Sequence, residues 1–94
     1  MYYTYMIRCE DNSIYTGITN NVEKRFNNHI NGKGAKYTKS HKPKAIVYVD
    51  ILENKSLALK EEYRIKKTLN RSKKLELIEA NKNKTKDILD SVLN

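Results

Sequence analysis

Five side chains in this sequence have the types and spacing to work on a phosphate ester. Tyr5 and Tyr15 sit in two apolar, β-branched runs, Arg25 and His29 follow on a short basic segment, and Glu62 lies more than thirty residues further on. Cleaving a phosphodiester requires a base near the attacking water, positive charge at the phosphate and stabilisation of the departing oxygen. A phenol beside an imidazole can act as base and an arginine can clamp a phosphate in planar fashion. A lone carboxylate can hold one Mg²⁺ or Mn²⁺ ion that keeps most of its waters.

These residues need elements to position them. Tyr2 to Cys9 is dense in aromatic and β-branched residues, Glu10-Asp11-Asn12-Ser13 supplies turn chemistry, and Ile14 to Ile18 resumes the strand signal, which predicts a β-hairpin. Asn20 or Asn21 is a natural N-cap, and Glu23 falls three residues after Asn20, so a helix is expected from about Val22 to His29 or Ile30. Val22, Phe26, His29 and Ile30 share its apolar face, with Arg25 at the edge one turn from His29. Residues 31–43 read as a loop without apolar period. Lys33, Lys36, Tyr37, Thr38 and Lys39 there are expected to face phosphates, with a merely solvated connection as the alternative, and the order of a nucleotide-binding P-loop is absent.

Ala45 to Leu52 is a near-continuous β-branched run that predicts a third strand in a central or well-covered position. A helix capped by Ser56 is expected to run to about Leu69, with Ala58, Glu62, Ile65 and Leu69 in one narrow arc and Glu61 pointing elsewhere. A carboxylate facing the core must be paired, hydrogen-bonded, metal-bound or neutral, and an ion pair with an arginine is the structural alternative to a metal. Asn70-Arg71-Ser72 breaks that helix, Leu75 and Ile78 mark a short one, and Thr85 is expected to cap a last amphipathic helix, loosely docked after a Lys- and Asn-rich connector.

Ninety-four residues, 38% hydrophobic and 32% charged, predict one domain with a thin core of one helical layer on a small sheet: about 2–69 as the core and about 72–93 as a helical extension. The formal charge of +8 makes polyanions the first partners to consider, although fifteen of the nineteen cations are lysines and a charge run is often only a solvated face. Cys9 is the single cysteine, which excludes an intramolecular disulfide and a cysteine-rich zinc site and reads as a buried, inert thiol. Neither a signal peptide nor an apolar membrane span is evident, so a soluble, cytoplasmic protein is expected.

From Tyr3 to Lys66 the sequence resembles the GIY-YIG nuclease superfamily, specifically its small stand-alone bacterial members. Tyr3-Thr4-Tyr5 stands at the first triplet, Tyr15-Thr16-Gly17 at the second, Arg25 and His29 on the helix, and Glu62 at the metal-binding glutamate; Gly32 to Thr38 is similar to a segment of this subgroup. The resemblance implies an α+β fold, a three-stranded antiparallel sheet flanked by helices. It implies that Tyr5, assisted by His29, prepares the water, Tyr15 positions it or the phosphate, Arg25 stabilises developing charge, and Glu62 holds one Mg²⁺ or Mn²⁺ ion. Thr16 replaces the isoleucine of the second triplet, Ile18 stands where several active members carry lysine, and the asparagine that often follows the metal glutamate has no counterpart.

The function expected is that of a metal-dependent endonuclease hydrolysing DNA, with branched or damaged DNA as candidate substrates and DNA favoured over RNA. No specificity domain is attached, so substrate choice rests on this domain or on a protein partner. The alternatives are a nucleic-acid-binding module without turnover and a structural domain in which an ion pair satisfies Glu62.

Overall fold

The structure, a computed structural model, describes residues 1–93. Strands β1 (Tyr2–Cys9) and β2 (Ile14–Thr19) form the expected antiparallel hairpin. Its turn is set by Asp11, whose carboxylate accepts the Ser13 N–H at 3.0 Å, and by Asn12 in the left-handed region at φ 67°, which asparagine tolerates. Strand β3 (Pro43–Leu52) pairs antiparallel with the other side of β1, so the order is β2-β1-β3 and the hairpin's first strand is central. The β-branched run therefore belongs to an edge strand. It reads as a covered strand because both its faces are packed: Val49 joins the core on one side and Tyr48 the core on the other.

Among the described residues five helices complete the α+β fold: α1 (Val22–Ile30), α2 (Lys36–Ser40), α3 (Lys55–Thr68), α4 (Arg71–Ala80) and α5 (Lys82–Val92). They cover both faces of the sheet rather than one. Tyr5, Ile7 and Cys9 of β1 pack with Val22 and Phe26 of α1 and Ile88, Leu89 and Val92 of α5, whereas Met6 packs on the opposite face with Ile65 of α3 and Leu77 and Ile78 of α4. Alternation along β1 thus serves two apolar layers, which is why this strand has no polar face. Cys9 is fully buried and burial pushes its thiol pKa up, so it is an unreactive core residue.

Asparagines cap α1, α3 and α4: Asn21 accepts the Lys24 N–H, Asn54 the Leu57 N–H and Asn70 the Lys73 N–H. Ser56, the expected cap of α3, instead lies inside its first turn, because Asn54 meets the chain two residues earlier with the same chemistry. Ile30 of α1 is 54% exposed and is not part of the core face. Helix α5 starts at Lys82, not at Thr85, and is firmly seated: Thr85 is buried and its hydroxyl accepts the Val49 N–H at 3.2 Å. That bond satisfies a backbone donor on the free side of the edge strand.

Thr16 is equally buried on β2, but its hydroxyl has no partner among the described residues. The same substitution should therefore act in opposite directions at the two sites. Thr85→Val should cost about 1–2 kcal/mol by orphaning the Val49 N–H, and Thr16→Val should stabilise by up to about 1 kcal/mol by removing an unsatisfied polar atom. Urea unfolding of the two variants measures both signs.

Candidate active site

The centre of the site is a contact between the middle strand and the first helix. Tyr5, opposite Gly17 in the β1–β2 register, points its hydroxyl at the His29 Nε2 of α1 at 2.8 Å. Arg25, one turn earlier on α1, donates its Nε–H to the same phenolic oxygen at 3.3 Å. Tyr15 completes the cluster, its ring centroid 6.3 Å from that of Tyr5 and 5.2 Å from that of His29. The structure therefore brings together four of the five residues expected from the sequence.

Two glycines make this contact possible. A Cβ on Gly17 would stand 2.6 Å from the Tyr5 hydroxyl oxygen and 3.0 Å from Cε2 of Tyr15, and a Cβ on Gly34 would stand 2.8 Å from Cγ and 2.9 Å from Cα of His29. The two missing side chains are the space into which Tyr5 and His29 pack.

The segment 31–42 is built differently from the expected loop. Residues 36–40 form α2, and Thr38 is buried at 2% exposure, with its hydroxyl 2.8 Å from the His29 Nδ1 and donating to the Ala35 carbonyl at 2.9 Å. Thr38 is thus a partner of His29 and does not face phosphates from the surface. Tyr37 stacks on Tyr15 at 5.9 Å and on His41 at 4.1 Å, and His41 pairs with Asp11 of the β1–β2 turn at 2.6 Å. The Ser13 side chain and His41 together hold the Asp11 carboxyl well below the usual range. Lys33, Lys36 and Lys39 are exposed.

Glu62 enters from the other face by way of α3. On that helix Ala58 and Ile65 are buried and Glu61 and Glu62 flank them, half-buried on opposite sides of the stripe. Both glutamates leave the arc, in contrast to the sequence expectation of one inward and one outward. Glu61 meets β3, where burial and the neighbouring Asp50 push its pKa up to about 7. Glu62 turns toward the tyrosines: its side chain is 20% exposed, it is ion-paired with Lys66 at 3.2 Å, and Lys66 Nζ lies 5.6 Å from the Tyr15 ring centroid. The partner is a lysine one turn on rather than an arginine, and the Glu-to-Lys i,i+4 spacing was the available signal for it.

The electrostatics keep the central pair neutral. Burial, with a contribution from Tyr15, pushes Tyr5 up to about 12 against the opposing Arg25 hydrogen bond. Burial and then the Arg25 charge hold His29 down at about 4. Burial alone would lower Arg25, but the Tyr5 and Tyr15 hydroxyls outweigh it and raise its pKa, so the guanidinium is a fixed charge above two neutral groups.

The family model described as the GIY-YIG catalytic domain matches residues 1–76. The chain belongs to the GIY-YIG family. Among its relatives, the UPF0213 protein OB0043 of Oceanobacillus iheyensis is 54% identical over 78 residues, covering 83% of this chain and 90% of the relative. The UPF0213 protein SH2523 of Staphylococcus haemolyticus is 50% identical over 78 residues, covering 83% and 94%. The solution NMR structure of the UPF0213 protein BH0048 from Bacillus halodurans superposes with a TM-score of 0.57 at 38% identity, covering 87% of each chain. This GIY-YIG chain is accordingly of a nuclease family, and no helix among the described residues is long and apolar enough to cross a membrane.

Two measurements test the packing of this GIY-YIG site. His29 is charged less readily folded than unfolded, so its contribution to stability is present above its ordinary value of 6.5 and is lost as pH falls toward 4. Glu61 has the opposite sign: its contribution is present below 4.5 and lost as pH rises toward 7, which flattens the curve of the intact protein. The difference in unfolding free energy between the intact protein and His29→Gln isolates His29 and should shrink by roughly 2 to 3 kcal/mol between pH 7 and pH 4; a pH-independent difference would refute the buried neutral imidazole. Gly34→Ala should destabilise by about 1–3 kcal/mol through overpacking, read by denaturant unfolding.

Proposed function

We propose that the protein is an endonuclease that hydrolyses phosphodiester bonds in DNA with one divalent ion, Mg²⁺ or Mn²⁺. The observation that supports it most is the Tyr5–His29 hydrogen bond beneath Arg25, a neutral proton-accepting pair beside a fixed cation. A polar hollow of about 200 Å³, flanked by Lys24 and Arg25 and by Asn20 and Asn28, offers the phosphate a place next to that cation. The exposed Lys33, Lys36 and Lys39, with Tyr37, extend positive and aromatic surface along the rim for the rest of the polyanion.

The donor set fits the ion. Among the described residues no three His, Cys, Asp or Glu side chains gather, which does not suit zinc but does suit a hard cation that takes one carboxylate and fills its shell with water and phosphate oxygens. Glu62 would hold it once Lys66, a flexible and partly exposed side chain, swings aside. When bound, the ion supplies Lewis-acid stabilisation of phosphoryl oxygens.

The protein's own groups then do the following. Arg25 binds the phosphate and offsets the charge that develops on it. Tyr5 takes the water's proton on its free lone pair as its own proton passes to His29 Nε2, while the water oxygen bonds to phosphorus and the ester P–O bond breaks. Burial holds Tyr5 well above its ordinary value and His29 well below its own, so transfer between them is unfavourable in the resting site and accompanies attack rather than preceding it. Tyr15 positions water or phosphate.

Incubation with duplex, branched, single-stranded and damaged DNA and with RNA, in Mg²⁺ or Mn²⁺, should reveal cleavage that Arg25→Ala and Glu62→Gln each lower by roughly 10²- to 10³-fold. Cleavage surviving in both variants would remove this site. The Glu62–Lys66 ion pair favours a second reading, a nucleic-acid-binding module without turnover, which predicts salt-sensitive binding and no product under any of these conditions.

A further inference from the structure

We infer that Thr38 is a positioning residue that fixes which nitrogen of His29 carries the proton, and thereby makes His29 the acceptor for Tyr5. The inference rests on five groups in one line, buried at its middle and half-buried at its ends: Arg25, Tyr5, His29, Thr38 and the Ala35 carbonyl, linked by contacts of 3.3, 2.8, 2.8 and 2.9 Å. The Ala35 end sets the direction, and the Arg25 end is compatible with it. Arg25 Nε–H can only donate, so it occupies a lone pair of the Tyr5 oxygen, and the Ala35 carbonyl can only accept.

From the Ala35 end, the Thr38 oxygen and the carbonyl oxygen 2.9 Å apart require a proton between them, and the Thr38 hydroxyl has only one. Thr38 can then only accept from His29, which places the imidazole proton on Nδ1. His29 is 1% exposed, so no bulk water competes for either nitrogen. Nε2 is left with a free lone pair facing Tyr5, whose hydroxyl proton goes there. The opposite tautomer would deprive the Tyr5 hydroxyl proton of His29 as its acceptor and set the Thr38 and Ala35 oxygens against each other. The donation from Arg25 is compatible with this direction, because it leaves the Tyr5 hydroxyl proton free for Nε2.

The catalytic consequence rests on the proton-relay reading above, but the inference itself does not. With the protons so placed, Tyr5 gives its hydrogen to an acceptor and keeps a lone pair for the water's proton. With the tautomer reversed, Tyr5 would have no acceptor for the proton it must pass on. Helix α2 thus belongs to the chemistry through one buried hydroxyl, and Gly34 lets the segment close against the His29 ring.

The chain has two histidines, which makes the tautomer directly measurable. Long-range ¹H–¹⁵N correlation spectra of the uniformly labelled full-length protein at pH 7 should show His29 with a protonated Nδ1 and an unprotonated Nε2. Thr38→Val, close in shape but without the hydroxyl, should convert His29 to the Nε2–H form or a mixture, and Thr38→Ser should restore the native pattern. On any DNA that the intact protein cleaves, Thr38→Val should lower kcat by roughly 10- to 100-fold with KM changed less than about twofold, and Thr38→Ser should recover most of the rate. An Nε2–H tautomer in the intact protein overturns the inference whether or not cleavage is observed and whether or not Thr38→Val folds. An unchanged Nδ1–H pattern in a folded Thr38→Val overturns it as well. Loss of cleavage with the native tautomer retained in Arg25→Ala or Glu62→Gln bears on the nuclease reading alone.

Discussion

The hydrogen bond between Tyr5 and His29 is the constraint to which the rest of the molecule is fitted. It joins the central strand to the first helix inside a core of limited size, and both partners are almost fully buried. A buried polar group left without a partner costs about 1–3 kcal/mol, so the phenol, the imidazole and everything that completes their bonding must be placed together or not at all. Arg25 finishes one end and Thr38 the other, while Gly17 and Gly34 leave the room that the two rings occupy. Site and core are therefore the same set of contacts, and a substitution here changes folding and chemistry together.

Helix α3 shows how adjacent identical residues acquire different environments. Glu61 and Glu62 straddle one apolar stripe, so the helix sends one carboxylate toward β3 and the other toward the tyrosines. On the β3 side, burial and then Asp50 raise the pKa of Glu61, and Lys84 holds Asp50 at 2.6 Å. On the tyrosine side, Glu62 meets Lys66, a partly exposed cation that also lies over the Tyr15 ring. A carboxylate that can exchange one cation for another is better placed to bind a metal than one held neutral beside a second carboxylate, which distinguishes the two although their sequence setting is nearly equal.

The hairpin, α1 and the meeting of Tyr5, Tyr15, Arg25 and His29 were legible because local signals agree there: β-branched density, Asx turn chemistry, an Asn cap and a one-turn spacing. The sheet order was not, because a β-branched run reports how well a strand is covered and says nothing of how many neighbours it has. Helix α2 escaped because five residues carry no apolar period, and what holds them is tertiary: Thr38 on His29 and Tyr37 between Tyr15 and His41. Thr85 read as a cap because its residue type favours caps, yet it is buried within α5 to complete the bonding of an edge strand. The misses share one origin, a contact made in the folded chain that no local pattern records.

Charge in this protein divides by depth, and the division matters to the proposed reaction. Lysines make up most of the excess and stand on exposed, flexible stems, where ions of the medium screen them. Arg25 is half-buried, tied to the Tyr5 oxygen and fixed in direction. In a binding event the lysines would set affinity and its dependence on salt, whereas Arg25 would act on the phosphate with little loss to screening. Placing a cation so close to His29 lowers the affinity of the imidazole for a proton, an unfavourable arrangement for a base in isolation. An anionic phosphate bound at Arg25 would offset that charge and raise the basicity of His29 at the moment when Tyr5 has a proton to pass on. In the proposed reaction, the arrangement that keeps the resting pair neutral would thus become reactive when the substrate's own charge arrives.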